Sequence, residues 1–188
     1  MRSAAAVRAL CLAPRLALPL SLLVALAPAG AQLAAPPALP FSACGTVQVA
    51  FAPWEDAEGL VVRPIGEAQR QILVQAFSFT RQRIAQALIG ARRRGVEVLV
   101  TADREQAVPG IPVWRETRHA AAHSKVMIID AGTRDSAVIT GSFNWTAGAQ
   151  RRNAQNVLVL RRNRELASAY EANWRHQAQA SPCAGSRK

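Results

Sequence analysis

The side chains best suited to chemistry lie in one short segment, in which Lys125 follows His123 by two positions and Asp130 follows Lys125 by five. After a further apolar run comes a second polar cluster, which consists of Gly141, Ser142 and Asn144. An imidazole can attack or donate a proton, while ammonium, amide and hydroxyl groups can hold anionic oxygens. A glycine lets the backbone approach an anion closely. The set therefore predicts chemistry on a phosphate ester.

Neither a metal nor any other cofactor is predicted for this chemistry. His119 lies four positions before His123, which invites a metal interpretation. No third or fourth ligand is near them in the sequence, however, and a zinc site needs three or four protein ligands.

Two short apolar runs, residues 126–129 and 137–140, must position these groups. Both are rich in β-branched side chains and predict buried strands. A period of two places His123 and Lys125 on one face of the extended chain that enters the first strand. Asp130 is expected to face away from the phosphate, so we interpret it as a structural member of the motif and not as a catalytic acid.

The order His-x-Lys-x4-Asp followed by Gly-Ser-x-Asn resembles the phospholipase D superfamily. Segments 75–80, 93–98 and 141–146 are similar to its small bacterial endonuclease branch, and the resemblance extends from about residue 46 to about residue 174. It implies an α/β fold with one domain per chain, in which a mixed, largely parallel β-sheet is flanked by helices.

The resemblance also implies a mechanism. In this family one imidazole attacks phosphorus and becomes a phosphohistidine, while a second imidazole protonates the leaving alkoxide. Since the chain has one copy of the motif, the resemblance implies a homodimer in which His123 of each subunit supplies one imidazole. Lys125 and Asn144 would then hold the non-bridging oxygens, and Ser142 would support them.

One residue departs from the family pattern. Relatives often have a glutamate where this chain has Gln155. That carboxylate accepts a hydrogen bond from the catalytic imidazole and stabilises its cation. An amide oxygen can accept the same bond without the charge, so our hypothesis is an active but slower enzyme in which Gln155 orients the imidazole.

Further candidates for substrate binding surround the motif: they are Gly141, Phe79, Trp145, Trp114, Arg151 and Arg152. Trp114 either stacks on a base or packs in the core. A helix is predicted over residues 145–152, and its N-terminal amides are expected to add to anion binding.

A strand–helix–strand unit is predicted in the first half of the domain. Residues 71–77 and 96–102 are the strands, and residues 81–94 are the helix. Thr80 is expected to cap this helix and Gly95 to end it. Such a unit makes part of the sheet parallel. The other predicted elements are a strand at 46–52, a short helix within 53–66, short strands at 113–114 and 156–160, and a final helix at 164–178 capped by Asn163.

The N-terminus has the features of a secretory signal peptide. Three arginines precede the apolar stretch 16–27, and Ala29-Gly30-Ala31 offers a cleavage site. We therefore predict a signal peptide at 1–31, a linker at 32–43, the phospholipase D-like domain at 44–183 and a tail at 184–188. An uncleaved anchor is the alternative, although the apolar stretch is short. The mature protein is expected in the bacterial periplasm or outside the cell.

Cleavage would leave two cysteines, Cys44 and Cys183, near the ends of the mature domain. In an oxidising compartment they are predicted to form a disulfide that joins the two ends. An intermolecular bridge and two free thiols are the alternatives.

The charge of the mature chain indicates an anionic partner. Without residues 1–31 it carries 20 basic and 12 acidic side chains, a net charge of +8. Such a surface suits nucleic acid or an anionic membrane. The preferred interpretation is a secreted, non-specific endonuclease that acts on DNA, with RNA as a further candidate substrate. The alternatives are a phospholipase that cleaves lipid headgroups, and a weakly active or non-catalytic phosphate-binding module.

Overall fold

A seven-stranded sheet with helices on both faces forms the described part of the chain in the computed structural model. The structure describes residues 38, 40–103, 110–115 and 121–179. The strands are β1 (Thr46–Ala52), β2 (Gln71–Ala76), β3 (Glu97–Ala102), β4 (Val113–Arg115), β5 (Val126–Ile129), β6 (Ala137–Gly141) and β7 (Gln155–Arg161). The helices are α1 (Ala57–Glu67), α2 (Gln82–Arg93), α3 (Ala147–Arg151) and α4 (Arg164–Gln179).

The strand order is β1-β7-β6-β5-β2-β3-β4. The unit β2–α2–β3 is confirmed as parallel, and β4 also pairs with β3 in parallel. The other four pairings are antiparallel. The mixed α/β fold is therefore confirmed, whereas the expectation of a largely parallel sheet is wrong. Short connections such as that between β5 and β6 make neighbouring strands antiparallel, whereas a crossover helix makes them parallel. The expectation rested on one crossover helix and did not count the short connections.

Each face of the sheet carries its own core. Helices α1, α2 and α3 cover one face, and α2 buries Ile84, Leu88 and Ala91 against it. On the opposite face, α4 packs over β2, β3, β5 and β6 and buries Ala167 and Trp174. Since β2 and β5 are covered on both faces, both contain continuous apolar runs, residues 72–74 in β2 and 126–129 in β5.

Two of the three predicted helix boundaries hold. Gly95, at φ +93°, follows the end of α2, and the Oδ1 of Asn163 accepts a hydrogen bond from the amide of Leu166 at 3.0 Å to cap α4. The prediction that Thr80 caps α2 is wrong. Arg81 occupies the cap position without a side-chain cap, because a guanidinium has only N–H donors and cannot accept from the helix amides. Its guanidinium instead forms two hydrogen bonds to the carboxylate of Glu58, at 2.7 and 2.6 Å.

Strand β1 lies at one edge of the sheet and keeps an apolar row in solvent. Val47, Val49 and Phe51 are 63%, 48% and 49% exposed, on the face where α4 covers the neighbouring strands but not β1. The alternate positions Ala50 and Ala52 are buried against the helices of the other face. Alternation in β1 therefore separates a packed side from an open apolar one.

Several predictions fall on residues outside the described ranges. They include the signal peptide, the cleavage site at Ala31, most of the linker, His119, Cys183 and the tail. Cys44 is exposed and its Sγ lies 3.8 Å from the carbonyl oxygen of Arg162. Its pairing with Cys183 stays a prediction. Within the described ranges, no helix combines the length and apolar character of a membrane span.

Candidate active site

Four chain segments meet at one edge of the sheet, the edge formed by the ends of strands β2, β5, β6 and β7. Val126, the first residue of β5, pairs with Gln75 of β2 and with Thr140 of β6, and Gly141 pairs with Val157 of β7. The segments that leave β2 and β6 and those that enter β5 and β7 therefore lie together. The register thus places the His123 segment, the Gly-Ser-x-Asn turn and Gln155 at the same edge.

His123 is exposed at this edge. Its ring lies against the ring of Phe77, with 4.6 Å between centroids and 59° between planes. The amide of Ala122 donates to the Oδ1 of Asp103 at 2.7 Å, which ties the segment before the histidine to the loop after β3. An aromatic contact on one side and an anchored backbone therefore restrict the ring of this exposed residue.

Lys125, in contrast, is buried, with 5% of its surface exposed. Its Nζ donates to the carbonyl oxygen of His123 at 2.5 Å and lies 5.0 Å from the centroid of Phe77. Burial lowers the pKa of Lys125 because the charged form loses water. The cation is thus held in place by one hydrogen bond and one ring, with two N–H donors left for an anion.

The turn after β6 requires glycine. Gly141 has φ +142°, and a Cβ there would lie 2.4 Å from the carbonyl oxygen of Asn156. The Oγ of Ser142 then accepts a hydrogen bond from the amide of Asn156, and the amide of Asn144 donates to the Oε1 of Gln155, both at 3.0 Å. The side chain of Ser142 therefore holds the backbone of β7, and the side chain of Gln155 holds the backbone after β6.

Asn144 carries an unusual atom. Its Oδ1 is buried without a hydrogen-bond partner, one of two such side-chain atoms in the described ranges; the other is Ser136 Oγ. Buried polar atoms are seldom left unpaired. The unpaired Oδ1 of Asn144 is therefore available to a hydrogen-bond donor on another molecule. Within the same ranges, no cluster of three or more His, Cys, Asp or Glu side chains is arranged to hold a metal ion.

Comparison with known proteins places this geometry in a family. Residues 61–177 match the family model described as "Cardiolipin synthase, PLD-like domain". The chain belongs to the phospholipase D superfamily. A protein named phospholipase D from Rickettsia felis is 36% identical over 139 residues, which cover 68% of this chain and 67% of the relative. The one from Rickettsia prowazekii is 37% identical over 139 residues, 68% of this chain and 65% of the relative.

A solved structure agrees with this assignment. Nuc from Salmonella typhimurium, a phospholipase D family member, is 30% identical, and the match has a TM-score of 0.67 and covers 73% of this chain and 97% of that one. The resemblance found in the sequence, including its Nuc-type branch, is therefore confirmed. As a phospholipase D-type protein, the chain is a phosphodiester hydrolase.

The aspartate of the phospholipase D motif serves the fold. The carboxylate of Asp130 accepts hydrogen bonds from the amides of Gln69, Arg70 and Gln71, at 2.9, 2.7 and 2.9 Å. These amides precede β2, so Asp130 lies at the edge of the sheet opposite His123. A cavity of about 460 Å³ adjoins it there, but its acid Glu67 is paired with Arg161 at 2.7 Å. We therefore place no chemistry in that cavity.

Two predicted substrate contacts are wrong. Trp145 is fully buried and its Nε1 donates to the carbonyl oxygen of Gln75 at 3.2 Å, and Phe79 is buried beside it through a backbone bridge. Trp114 packs edge-on against Trp174, with 6.1 Å between ring centroids, so the packing alternative holds. The rings of Phe79 and Trp145 thus belong to the core on one face of the sheet, and those of Trp114 and Trp174 to the core on the other face.

The helix predicted over residues 145–152 is also shorter than expected. Helix α3 spans five residues and begins after Thr146, whose Oγ1 accepts from the amide of Ala149 at 3.3 Å. A single turn whose amide is already capped offers no anion site, so that expectation is wrong. Arg151 and Arg152 are exposed where the chain leads into β7.

Gln155 and Phe77 differ from what the sequence suggested. Gln155 bonds the amide of Asn144 in the structure, and not the imidazole of His123. Phe77, which touches both His123 and Lys125, was not among the predicted site residues. Its position in the sequence could have indicated it. Phe77 is the first residue after the buried strand β2, at the edge where that strand meets the motif.

Proposed function

We propose that this chain is an exported, non-specific endonuclease that hydrolyses DNA, with RNA as a second substrate, and needs no metal. The observation that carries the proposal is the exposed imidazole of His123 fixed beside the buried cation of Lys125 at an open sheet edge. An exposed nucleophile next to a preorganised cation suits an anionic ester whose charge grows in the transition state.

The reaction would proceed in two displacements. A ring nitrogen of His123 attacks phosphorus, the bond to one ester oxygen breaks, and a second imidazole gives that oxygen its proton. A water molecule then attacks phosphorus and gives a proton to the second imidazole as the N–P bond breaks. Lys125 and Asn144 stabilise the non-bridging oxygens in both steps.

The second imidazole would come from a second copy of the chain. The sequence holds one His-x-Lys motif, and a two-fold axis through this edge would bring two copies of His123 together. Co-refolding equal amounts of wild-type and His123→Ala chains tests this arrangement. Shared sites predict about one quarter of the wild-type activity per chain pair, whereas independent sites predict about one half. Retention of one half would refute the shared site.

The preference for nucleic acid rests on charge. The mature chain has a net charge of +8, and Arg151 and Arg152 are exposed in the segment that enters β7 at the site edge. Cationic side chains beside a phosphodiester site attract a polyanion through its backbone phosphates. Nucleic acid offers such phosphates in a row.

Headgroup cleavage of a phospholipid is the second candidate. The Rickettsia relatives are named phospholipase D, and the matching family model is described as a cardiolipin synthase domain. The exposed row Val47, Val49 and Phe51 also offers an apolar surface that a membrane can take up. The chemistry at phosphorus is the same for both substrates.

One experiment separates these functions. Purified mature protein is incubated in EDTA with supercoiled plasmid DNA and, separately, with phosphatidylglycerol vesicles, each beside His123→Ala. DNA nicking that His123→Ala abolishes supports the endonuclease. Headgroup release without nicking supports the phospholipase. DNA binding with neither activity supports the non-catalytic alternative.

Export is part of the proposal and is inferred from the sequence. Residues 1–31 combine arginines, an apolar stretch and a small-residue cleavage site. In an oxidising compartment Cys44 would pair with Cys183. Mass spectrometry of the secreted protein, with and without reductant, measures both the new N-terminus and the predicted bridge.

A further inference from the structure

An open cleft of about 210 Å³ adjoins the candidate active site and has no role in the chemistry described above. Its wall includes Phe51, Trp54, Ser142, Gln155 and Asn156. Ser142 and Gln155 also belong to the turn that holds Asn144. Whatever occupies the cleft therefore lies directly beside the phosphate position.

Trp54 has the largest side chain among the residues that line this cleft. Its side chain is 82% exposed, the highest value among the large hydrophobic residues in the described ranges. Phe51, on the same wall, is 49% exposed. Two aromatic rings in solvent next to a catalytic turn are unfavourable for the isolated chain, since their burial would be worth several times the thermal energy.

The turn that carries Trp54 is well anchored. The amide of Phe51 donates to the carboxylate of Glu55 at 2.7 Å, and the amide of Glu55 donates to the carbonyl oxygen of Phe51 at 2.9 Å. The carbonyl oxygen of Glu55 in turn accepts from the Nε2 of Gln150 in α3, at 2.9 Å. The backbone position of Trp54 is therefore fixed by the fold, and its side chain is exposed there.

The composition of the wall indicates the kind of group that fits. Beside the apolar side chains of Phe51, Ala52, Trp54 and Ala154, the cleft carries the hydroxyl of Ser142 and the amides of Gln155 and Asn156, polar groups that an acyl chain would leave unpaired. A nucleobase has this same combination, a flat π-face and a polar edge that amides can contact. The Oε1 of Gln155 is engaged with Asn144, which leaves its NH₂ group as a donor.

We propose that this cleft is a nucleobase subsite, in which Trp54 stacks on an unpaired base next to the scissile phosphate while the amides of Gln155 and Asn156 contact the edge of the base. The proposal rests on the nucleic-acid activity proposed above and names the part of the substrate that the enzyme grips beside the phosphate. Because a base inside a duplex has no free face, the subsite takes single-stranded or locally opened nucleic acid.

The test uses two single-stranded oligonucleotides of equal length, one with normal bases and one abasic at every position. For Trp54→Ala we expect kcat/KM on the normal strand to fall by about 5- to 100-fold, mainly through KM, as for other base-stacking rings. On the abasic strand it should change by less than about twofold. Trp54→Tyr keeps a flat ring and should recover most of the loss.

Phe41→Ala is the matched control. Phe41 is also an exposed aromatic residue, at 37%, and precedes Ser42, which binds Asn163 beyond the far end of β7. It should leave both substrates unaffected. An equal loss on the two strands with Trp54→Ala, or no loss on either, overturns the subsite.

A binding measurement keeps the subsite separate from the activity. In a His123→Ala background, the normal strand should quench tryptophan emission and the abasic strand should not, and Trp54→Phe should remove the response. Quenching of this kind supports the subsite even if the wild type cleaves no DNA, in which case only the proposed function fails. If Trp54→Ala instead cleaves both strands as fast as the wild type, the subsite fails and the proposed function stands.

Vesicle binding tests a membrane role for the same ring. If Trp54→Ala weakens binding to phosphatidylglycerol vesicles and leaves the oligonucleotide unaffected, the ring is a membrane contact and the proposal is wrong.

Discussion

The ring of Phe77 lies 4.6 Å from the imidazole of His123, centroid to centroid, and the same ring lies 5.0 Å from the Nζ of Lys125. One aromatic side chain thus contacts both the predicted nucleophile and its neighbouring cation. Packing restricts the imidazole, and the π-face stabilises the ammonium that burial destabilises. If His123 attacks phosphorus as proposed, Phe77 is a positioning residue, because it contacts these two groups and acts through them.

Phe77→Leu should lower kcat by about 10- to 100-fold with little change in KM, because a displaced imidazole attacks poorly while the phosphate is still bound. Steady-state kinetics on a phosphodiester substrate measure this split. Phe79→Leu is the control, since Phe79 is buried in the core and should lower stability by about 1 kcal/mol without the loss in kcat. Equal kcat values for the two variants would contradict the positioning role.

Lys125 should produce opposite pH dependences of activity and stability. Burial lowers its pKa in the folded chain, so the unfolded chain binds more protons between the folded pKa and about 10.4, the usual value for lysine. In that window the free energy of unfolding therefore gains from rising pH, while kcat/KM falls because the neutral amine no longer holds the phosphate. Urea unfolding and kcat/KM measured over the same pH range test both trends.

Two substitutions serve as controls for that measurement. Lys125→Met cannot titrate, so its unfolding curve should lack the contribution that the wild type gains in this window. Lys125→Arg stays charged, and its residual activity should lack the alkaline decline. A wild-type decline that begins only above about 10.4 would show that the lysine is not perturbed.

Asp130→Asn should damage the fold and spare the chemistry. The substitution weakens charge-assisted hydrogen bonds to three backbone amides, so we expect the free energy of unfolding to fall by about 2–4 kcal/mol. The kcat of the folded fraction should stay within about twofold, because the carboxylate lies at the far edge of the sheet. Asp135→Asn, at an exposed neighbouring position, controls for the lost charge. A folded Asp130→Asn with no activity would assign the residue to catalysis.

Gln155 should have two separable effects. Gln155→Leu removes the acceptor for the amide of Asn144 and should lower kcat by about 10- to 100-fold as that turn shifts. Gln155→Glu keeps an acceptor and adds a negative charge for the imidazolium, so its turnover should exceed that of the wild type. Initial-rate assays of both variants measure these two changes in kcat. If Gln155→Glu is no faster, the residue supports Asn144 alone and does not orient His123.

The sequence predicted the parts of the fold and site that depend on near neighbours. The unit from β2 to β3 follows from apolar periodicity and one glycine, and the shared placement of His123 and Lys125 follows from their spacing of two. Such features are encoded within a few residues of one another. The structural role of Asp130 also followed from its position one strand length beyond Lys125.

Features that depend on distant partners were missed. Phe77 and Phe79 are equivalent in a period-two pattern, and only the bridge between Phe79 and Trp145 decides which ring enters the core. The predicted cap of α2 was wrong because the residue at the cap position is Arg81, whose side chain binds Glu58 of another helix. Antiparallel pairings dominate the sheet because strand order, a tertiary property, sets them.

The open row on β1 has a consequence for handling the protein. In the described part of the chain, β1 has a neighbouring strand on one side only, and Val47 and Val49 line it with exposed apolar side chains. An unprotected edge of this kind is a template on which further chains can add as strands, leading to precipitation in concentrated samples. Val47→Lys places a charge on that edge, and light scattering at rising concentration should then detect fewer large particles.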